Sequence, residues 1–164
     1  MYTMNEKEMF LDSYEREYEI TLKFLNAFPA EQFDFRPQPD LQSALELAWS
    51  FPEEERILIS AALDNSAVFK KNSPPGTFDE VKTAYQANHR MFVTRIKELA
   101  DTSLSEIITF TPDPDHTSSM QRANALWLML MDGAHHRGQF SVYIRMVGAK
   151  VPSLYNEAAA EEKK

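Results

Sequence analysis

Met131-Asp132-Gly133-Ala134-His135-His136-Arg137-Gly138-Gln139-Phe140-Ser141 is the stretch that decides how the rest of the chain is read. Asp132 and His136 stand four residues apart, so on a helix their side chains share one face, which Leu128, Gln139, Tyr143 and Met146 continue. A carboxylate and an imidazole at this spacing are suitable co-ligands for a divalent metal whose remaining ligands come from another helix. Gly133 and Gly138 each disfavour a helix by about 1 kcal/mol relative to alanine, and their expected use is close approach of a neighbouring helix or a ligand.

Working outward, Ser118 with Gln121 predicts the start of this helix, which runs to about Val147; Gly148 suits the residue after its end, and Pro152 prevents continuation. Upstream, prolines punctuate the chain into three further helical segments. Asn5 with Glu8, Ser43 with Glu46 and Thr77 with Glu80 have capping-box spacing. They open segments running to about Phe28, Val68 and Ala100, with apolar residues recurring mostly at helical spacing. Pro52 lies inside the second segment and predicts a kink or a break. In the connection from Asp101 to His116, Ile107-Ile108-Thr109-Phe110 is a candidate short extended piece. The expected fold class is all-α, a four-helix bundle in a single domain over residues 1–164, with a frayed tail over 153–164.

The chain has 164 residues, no cysteine and a net charge of −8. A chain of this length buries about two-thirds of its unfolded surface and needs no disulfide or structural metal to fold. The absence of cysteine excludes disulfides, thiolate zinc sites and a cysteine nucleophile. The 17 basic residues are scattered among 25 acidic ones, which argues against nucleic acid or an anionic membrane as partner. The polar, acidic start of the chain does not read as a signal peptide. The longest apolar run, Ala125 to Met131, falls far short of the roughly 20 residues of a membrane span. A soluble cytoplasmic protein is expected.

His135-His136-Arg137-Gly138-Gln139, followed by Ser141-Val142-Tyr143-Ile144-Arg145, resembles the last helix of the DinB-like, or DinB/YfiT-like, family. Glu46-Leu47-Ala48-Trp49 resembles that family's second helix, and Val151-Pro152-Ser153 is similar to the segment after its last one. The resemblance covers most of the chain and implies an up-down-down-up four-helix bundle, often a homodimer. It further implies a metal held by one histidine of the second helix and two histidines four apart on the last. Carried over, the last pair falls on Asp132 and His136, and the second-helix histidine falls on Ser50, a much poorer ligand. Glu53 or Glu54, one turn on, is the expected substitute, giving a harder site shifted toward Mn²⁺, Fe²⁺ or Mg²⁺.

The family resemblance implies a metal-dependent enzyme of the thiol S-transferase or hydrolase type acting on a small-molecule substrate, with Zn, Ni, Mn or Fe as the ion. Trp49, Ser50, Arg137, Gln139 and Tyr143 would line its pocket, and Glu54 or Glu53 would complete the site or act as a base. The alternative is a non-catalytic relative that holds no metal and acts as a small-molecule-binding or dimeric interaction protein.

Each candidate also has a plainer reading. His136 is a buried histidine satisfied by Gln139 or a backbone carbonyl. Asp132 pairs with Arg137 or Arg122. Glu53-Glu54-Glu55 is a solvated acidic face, and His89 is a core-edge or exposed histidine. His116 is solvated in a loop, and Trp49 and Trp127 are core. A Ser50 or Ser141 nucleophile with His136 and Asp132 lacks a nucleophile elbow.

Overall fold

A computed structural model describes residues 4–70, 72–113 and 115–154. Four helices dominate it: α1 (Glu6–Ala27), α2 (Ala44–Leu63), α3 (Phe78–Glu98) and α4 (Arg122–Met146). The first two begin where the capping boxes place them, with Asn5 and Ser43 each accepting from the amide three residues on and each glutamate answering the cap's own amide. Thr77 caps α3 by accepting from the Glu80 amide. After α4 the chain turns at Gly148, whose φ of 80° is the left-handed conformation that glycine adopts without penalty. The tail expected to fray over 153–164 lies almost wholly outside the described residues. Among the described residues no helix is long and apolar enough to cross a membrane.

The fold is not purely α. Three strands, β1 (Ser66–Val68), β2 (Ile107–Asp113) and β3 (His116–Gln121), form one sheet in the order β1-β2-β3. β1 runs parallel to β2, with Ala67 opposite Phe110, and β2 runs antiparallel to β3, with Ile108 opposite Met120. The expected second helix therefore stops at Leu63 rather than Val68, and the fourth starts at Arg122 rather than Ser118. Asp64 caps the end of α2, and Asn65 passes the chain on into β1. Ser118 and Ser119 are poor helix formers, and the backbone of β2 offers them a ladder instead. The extended piece expected at Ile107–Phe110 is the start of β2, with Ile108 and Phe110 turned into the core.

Pro52 does not break α2, which is continuous across it. Asn88 of α3 donates its side-chain amide to the Pro52 carbonyl at 3.0 Å, which ties α2 to α3 at this turn.

α2 packs against α3 and α4, and α1 packs against the same two helices. The core divides into two apolar clusters. One gathers Phe10, Tyr14, Ile57, Phe92, Ile96, Ile108 and Leu126 near the sheet. The other gathers Phe24, Phe28, Leu47, Phe51, Phe78, Phe140 and Ile144 at the opposite end. Between them α2 contributes Glu53, Glu54 and Glu55, α3 contributes Asn88 and His89, and α4 contributes Asp132, His136 and Arg137. The bundle thus has a polar waist.

Arg122, only 3% exposed, fastens the sheet to the helices. Its guanidinium donates to the Ala61 and Asp64 carbonyls at the end of α2, to Ser103 O, to Asn65 Oδ1 and to Glu106. It satisfies terminal helix carbonyls that would otherwise be buried without donors. Arg122→Ala should lower the unfolding free energy by about 1–3 kcal/mol, the scale of leaving buried carbonyls without a donor, as measured by urea denaturation.

Candidate metal centre

Three consecutive glutamates on a helix point about 100° apart, so they cannot share a partner. All three are buried here, at 5%, 7% and 3% exposure, rather than forming a solvated face. Glu53 accepts from Arg56 on its own helix and from Asn72 in the following loop. Glu55 accepts from the Tyr14 hydroxyl on α1. Glu54 faces α4, where His136 Nδ1 meets its Oε1.

Asp132 joins this pair from one turn back on α4, its Oδ2 lying 3.8 Å from His136 Nδ1. Each of Glu54, Asp132 and His136 presents a ligand atom, and these atoms all lie within 4.8 Å of one another. Ligands on a common ion, with bonds of about 2.1 Å, sit roughly 3–4 Å apart. Small side-chain adjustments therefore bring the group into coordination range, and the donor set suits a divalent cation.

Gly133 makes the approach of Glu54 possible. A Cβ at that position would stand 2.9 Å from Glu54 Oε2, closer than ordinary contact allows. The close approach expected of the helix glycines is realised here; around Gly138 nothing lies within 4 Å of an added Cβ.

Burial raises the Glu54 carboxyl to about 7, opposed by its hydrogen bond to His136. Burial likewise raises Glu55 to about 8, opposed by the Tyr14 hydroxyl. The Glu54 hydrogen bond raises His136 in turn. Glu54 and His136 therefore each hold a proton more readily than the free side chains do. A metal ion needs both groups deprotonated and competes with protons for them.

The group opens onto a cleft of about 700 Å³. The loop between α1 and α2 supplies Arg36, Asp40, Leu41 and Gln42 to it; α2 supplies Glu46, Trp49, Ser50, Glu53 and Glu54; α4 supplies Asp132 and His136. Ser50 and Trp49 therefore share a wall with the carboxylates. Trp49 Nε1 is buried there with no hydrogen-bond partner.

Other expected residues lie elsewhere. Arg137 turns toward α1, where it pairs with Glu17 and donates to Thr21 Oγ1 at 3.0 Å. Gln139 is exposed and bonds to His135 rather than His136. Tyr143 is buried beside the cleft, its hydroxyl donating to Gln42 O at 2.9 Å. Leu128 and Met146 turn outward, away from the Asp132–His136 face. Asp132 pairs with neither Arg122 nor Arg137. His89 is a core-edge residue, stacked on Tyr18 and bonded to Glu15 at 2.8 Å. His116 lies in β3, not in a loop.

Residues 1–164 match the DinB family model. The chain is similar to the uncharacterized protein YrdA of Bacillus subtilis (strain 168), with 27% identity over 154 residues that span 93% of this chain and 89% of that protein. A solved DinB-like protein from Bacillus cereus ATCC 10987 aligns with a TM-score of 0.75 and 25% identity, covering 89% of this chain and 95% of that one. The DinB-like protein YjoA of Bacillus subtilis aligns with a TM-score of 0.72 and 15% identity over 90% of this chain and 98% of its own, a likeness of fold alone.

Glu54, Glu55 and His136 all bind protons more tightly folded than unfolded. Their contribution to stability is fully present below the unfolded values of 4.5 for the carboxyls and 6.5 for the imidazole, and is lost as pH rises through the folded ones. The metal-free protein should melt at progressively lower temperature between about pH 5 and pH 9. Glu55→Gln, which keeps an acceptor for Tyr14 but cannot ionise, should flatten the upper part of that decline in a series of thermal melts.

Proposed function

The chain belongs to the DinB family, and from that premise we propose that it is a metal-dependent enzyme of the thiol S-transferase or hydrolase type, acting on a small molecule held in the cleft. The observation that carries this reading is Glu54. Where the family pattern would put a second-helix histidine at Ser50, a carboxylate one turn further along α2 reaches the Asp132–His136 pair.

Glu54, Asp132 and His136 would hold the ion. Two carboxylates and one imidazole form a hard donor set, suited to Mn²⁺ or Fe²⁺ and still able to take Zn²⁺. A divalent ion supplies Lewis acidity that lets a water or thiol give up its proton near neutral pH. Glu53 lines the cleft beside the group and serves as general base in this reading. Trp49 and Ser50 orient the bound molecule from the same α2 wall. A homodimer is the working assembly we infer. Leu128, Met131, Val142 and Met146 support it, forming an exposed apolar stripe along the outer side of α4.

One observation favours a non-catalytic alternative. The Glu54–His136 pair satisfies both of its members without an ion. The two readings separate on metal content. Protein purified without a His-tag or chelator should contain about one divalent ion per chain. Added Zn²⁺, Ni²⁺ or Mn²⁺ at a hundredfold its dissociation constant contributes about 2.7 kcal/mol. For a chain of this size that raises the melting temperature by about 5–10 °C. Glu54→Gln should abolish the rise, and Ser50→His should enlarge it for Zn²⁺ and Ni²⁺. Failure to bind any divalent metal at millimolar concentration leaves the non-catalytic reading standing.

Gly133→Ala gives a separate check. Helix propensity favours the substitution by about 1 kcal/mol. The new methyl displaces the Glu54 carboxylate, however, so metal affinity should fall by roughly tenfold, the scale of losing a group that positions a ligand. Paired melting and metal titrations would show stability and affinity moving in opposite directions.

A further inference from the structure

A second hollow adjoins the metal group. It measures about 270 Å³ and is lined by Ile57, Phe69, Phe110, Met129, Asp132 and His136. Phe69, Asp132 and His136 also line the larger cleft, so the two hollows meet at the candidate ligands. Their chemistry differs. The larger cleft carries Arg36, Gln42, Glu46 and Asn72 among its lining residues. The smaller one has carbon walls apart from the carboxylate and imidazole it shares.

The sheet builds this smaller hollow. Phe110 projects inward from β2. The pairing of β1 with β2 fixes Phe69, whose amide donates to Thr111 O at 2.9 Å just beyond the last residue of β1. α2 adds Ile57 and α4 adds Met129. The hollow is half-open rather than an enclosed cavity, but its volume exceeds the about 150 Å³ that admits a benzene ring in an enclosed one, and methionine adapts its shape to what it meets.

We propose that the substrate has two parts: a polar body lying in the large cleft, and a short apolar arm that passes the metal group and enters the hollow walled by Ile57, Phe110 and Met129. The inference rests on the metal-centre reading above, since the ligand group is what joins the two spaces. It assigns substrate selection to the sheet side of the molecule. Ile57, Phe110 and Met129 set how long or wide the arm can be, while Phe69 closes the junction.

A homologous series of alkyl hydroxamates, from acetohydroxamate to hexanohydroxamate, tests this with one chelating head and a growing apolar tail. The readout is the dissociation constant by calorimetry on the metal-loaded protein. Affinity should rise by up to about fourfold per methylene until the hollow is full. Met129→Phe, which fills the hollow, should bring the ratio of hexano- to acetohydroxamate affinity down toward one. Phe69→Ala, at a position 41% exposed where folding is not at risk, should lower the same ratio by opening the wall. If acetohydroxamate binds and longer tails bind no tighter, the apolar arm is refuted while the metal centre stands. A chain-length gain that survives both substitutions places the tail elsewhere and also refutes it. If neither metal nor acetohydroxamate binds, the metal-centre reading fails and takes this inference with it.

Discussion

A carboxylate among packed helices is tolerated only when a donor meets it, and the Glu53-Glu54-Glu55 run imposes that demand three times in one helical turn. The answers come from three directions: a loop asparagine and an intrahelical arginine, a histidine on α4, and a tyrosine on α1. The relative placement of α1, α2 and α4 is therefore bound to a polar layer as well as to hydrocarbon packing. The apolar clusters above and below insulate that layer and lower the dielectric around it. The same insulation drives the Glu54 and Glu55 carboxyl values upward.

The waist also explains why α4 carries Gly133, which disfavours a helix. Gly133 lowers helix stability locally, yet without it the Glu54 carboxylate has no room beside α4. Local propensity yields to the geometry of the layer. Arg137 illustrates the other side of the same layer: buried and directed at α1, it ties α4 to α1 through Glu17 and Thr21.

Much of the fold was legible because helix starts leave marks. Asn5, Ser43 and Thr77 cap the first three helices in the way their spacing to a glutamate suggests. The fourth start misled for the opposite reason: Ser118 and Gln121 imitate a box, whereas the true cap at Gln121 has no side-chain hydrogen bond. β1 has three residues, and β3 is nearly all exposed polar, so neither carries an alternating pattern. The spacing of Asp132 and His136 was enough to put them on one face. What spacing could not decide was which neighbour each inward residue meets. Arg137 and His136 are adjacent, but one faces α1 and the other α2. Glu54 could be singled out from Glu53 and Glu55 only through its angle to α4, which depends on helix packing.

The parallel pairing of β1 with β2 brings Ser66 beside Thr109, with the whole of α3 strung between them. Such a contact closes a long loop, and its entropy must be met before the pairing gives anything back. Helices with local contacts form on faster timescales than pairings of this kind. The wall carrying Phe69 and Phe110 therefore depends on a contact made across the whole of α3, and not on hydrogen bonds within either segment.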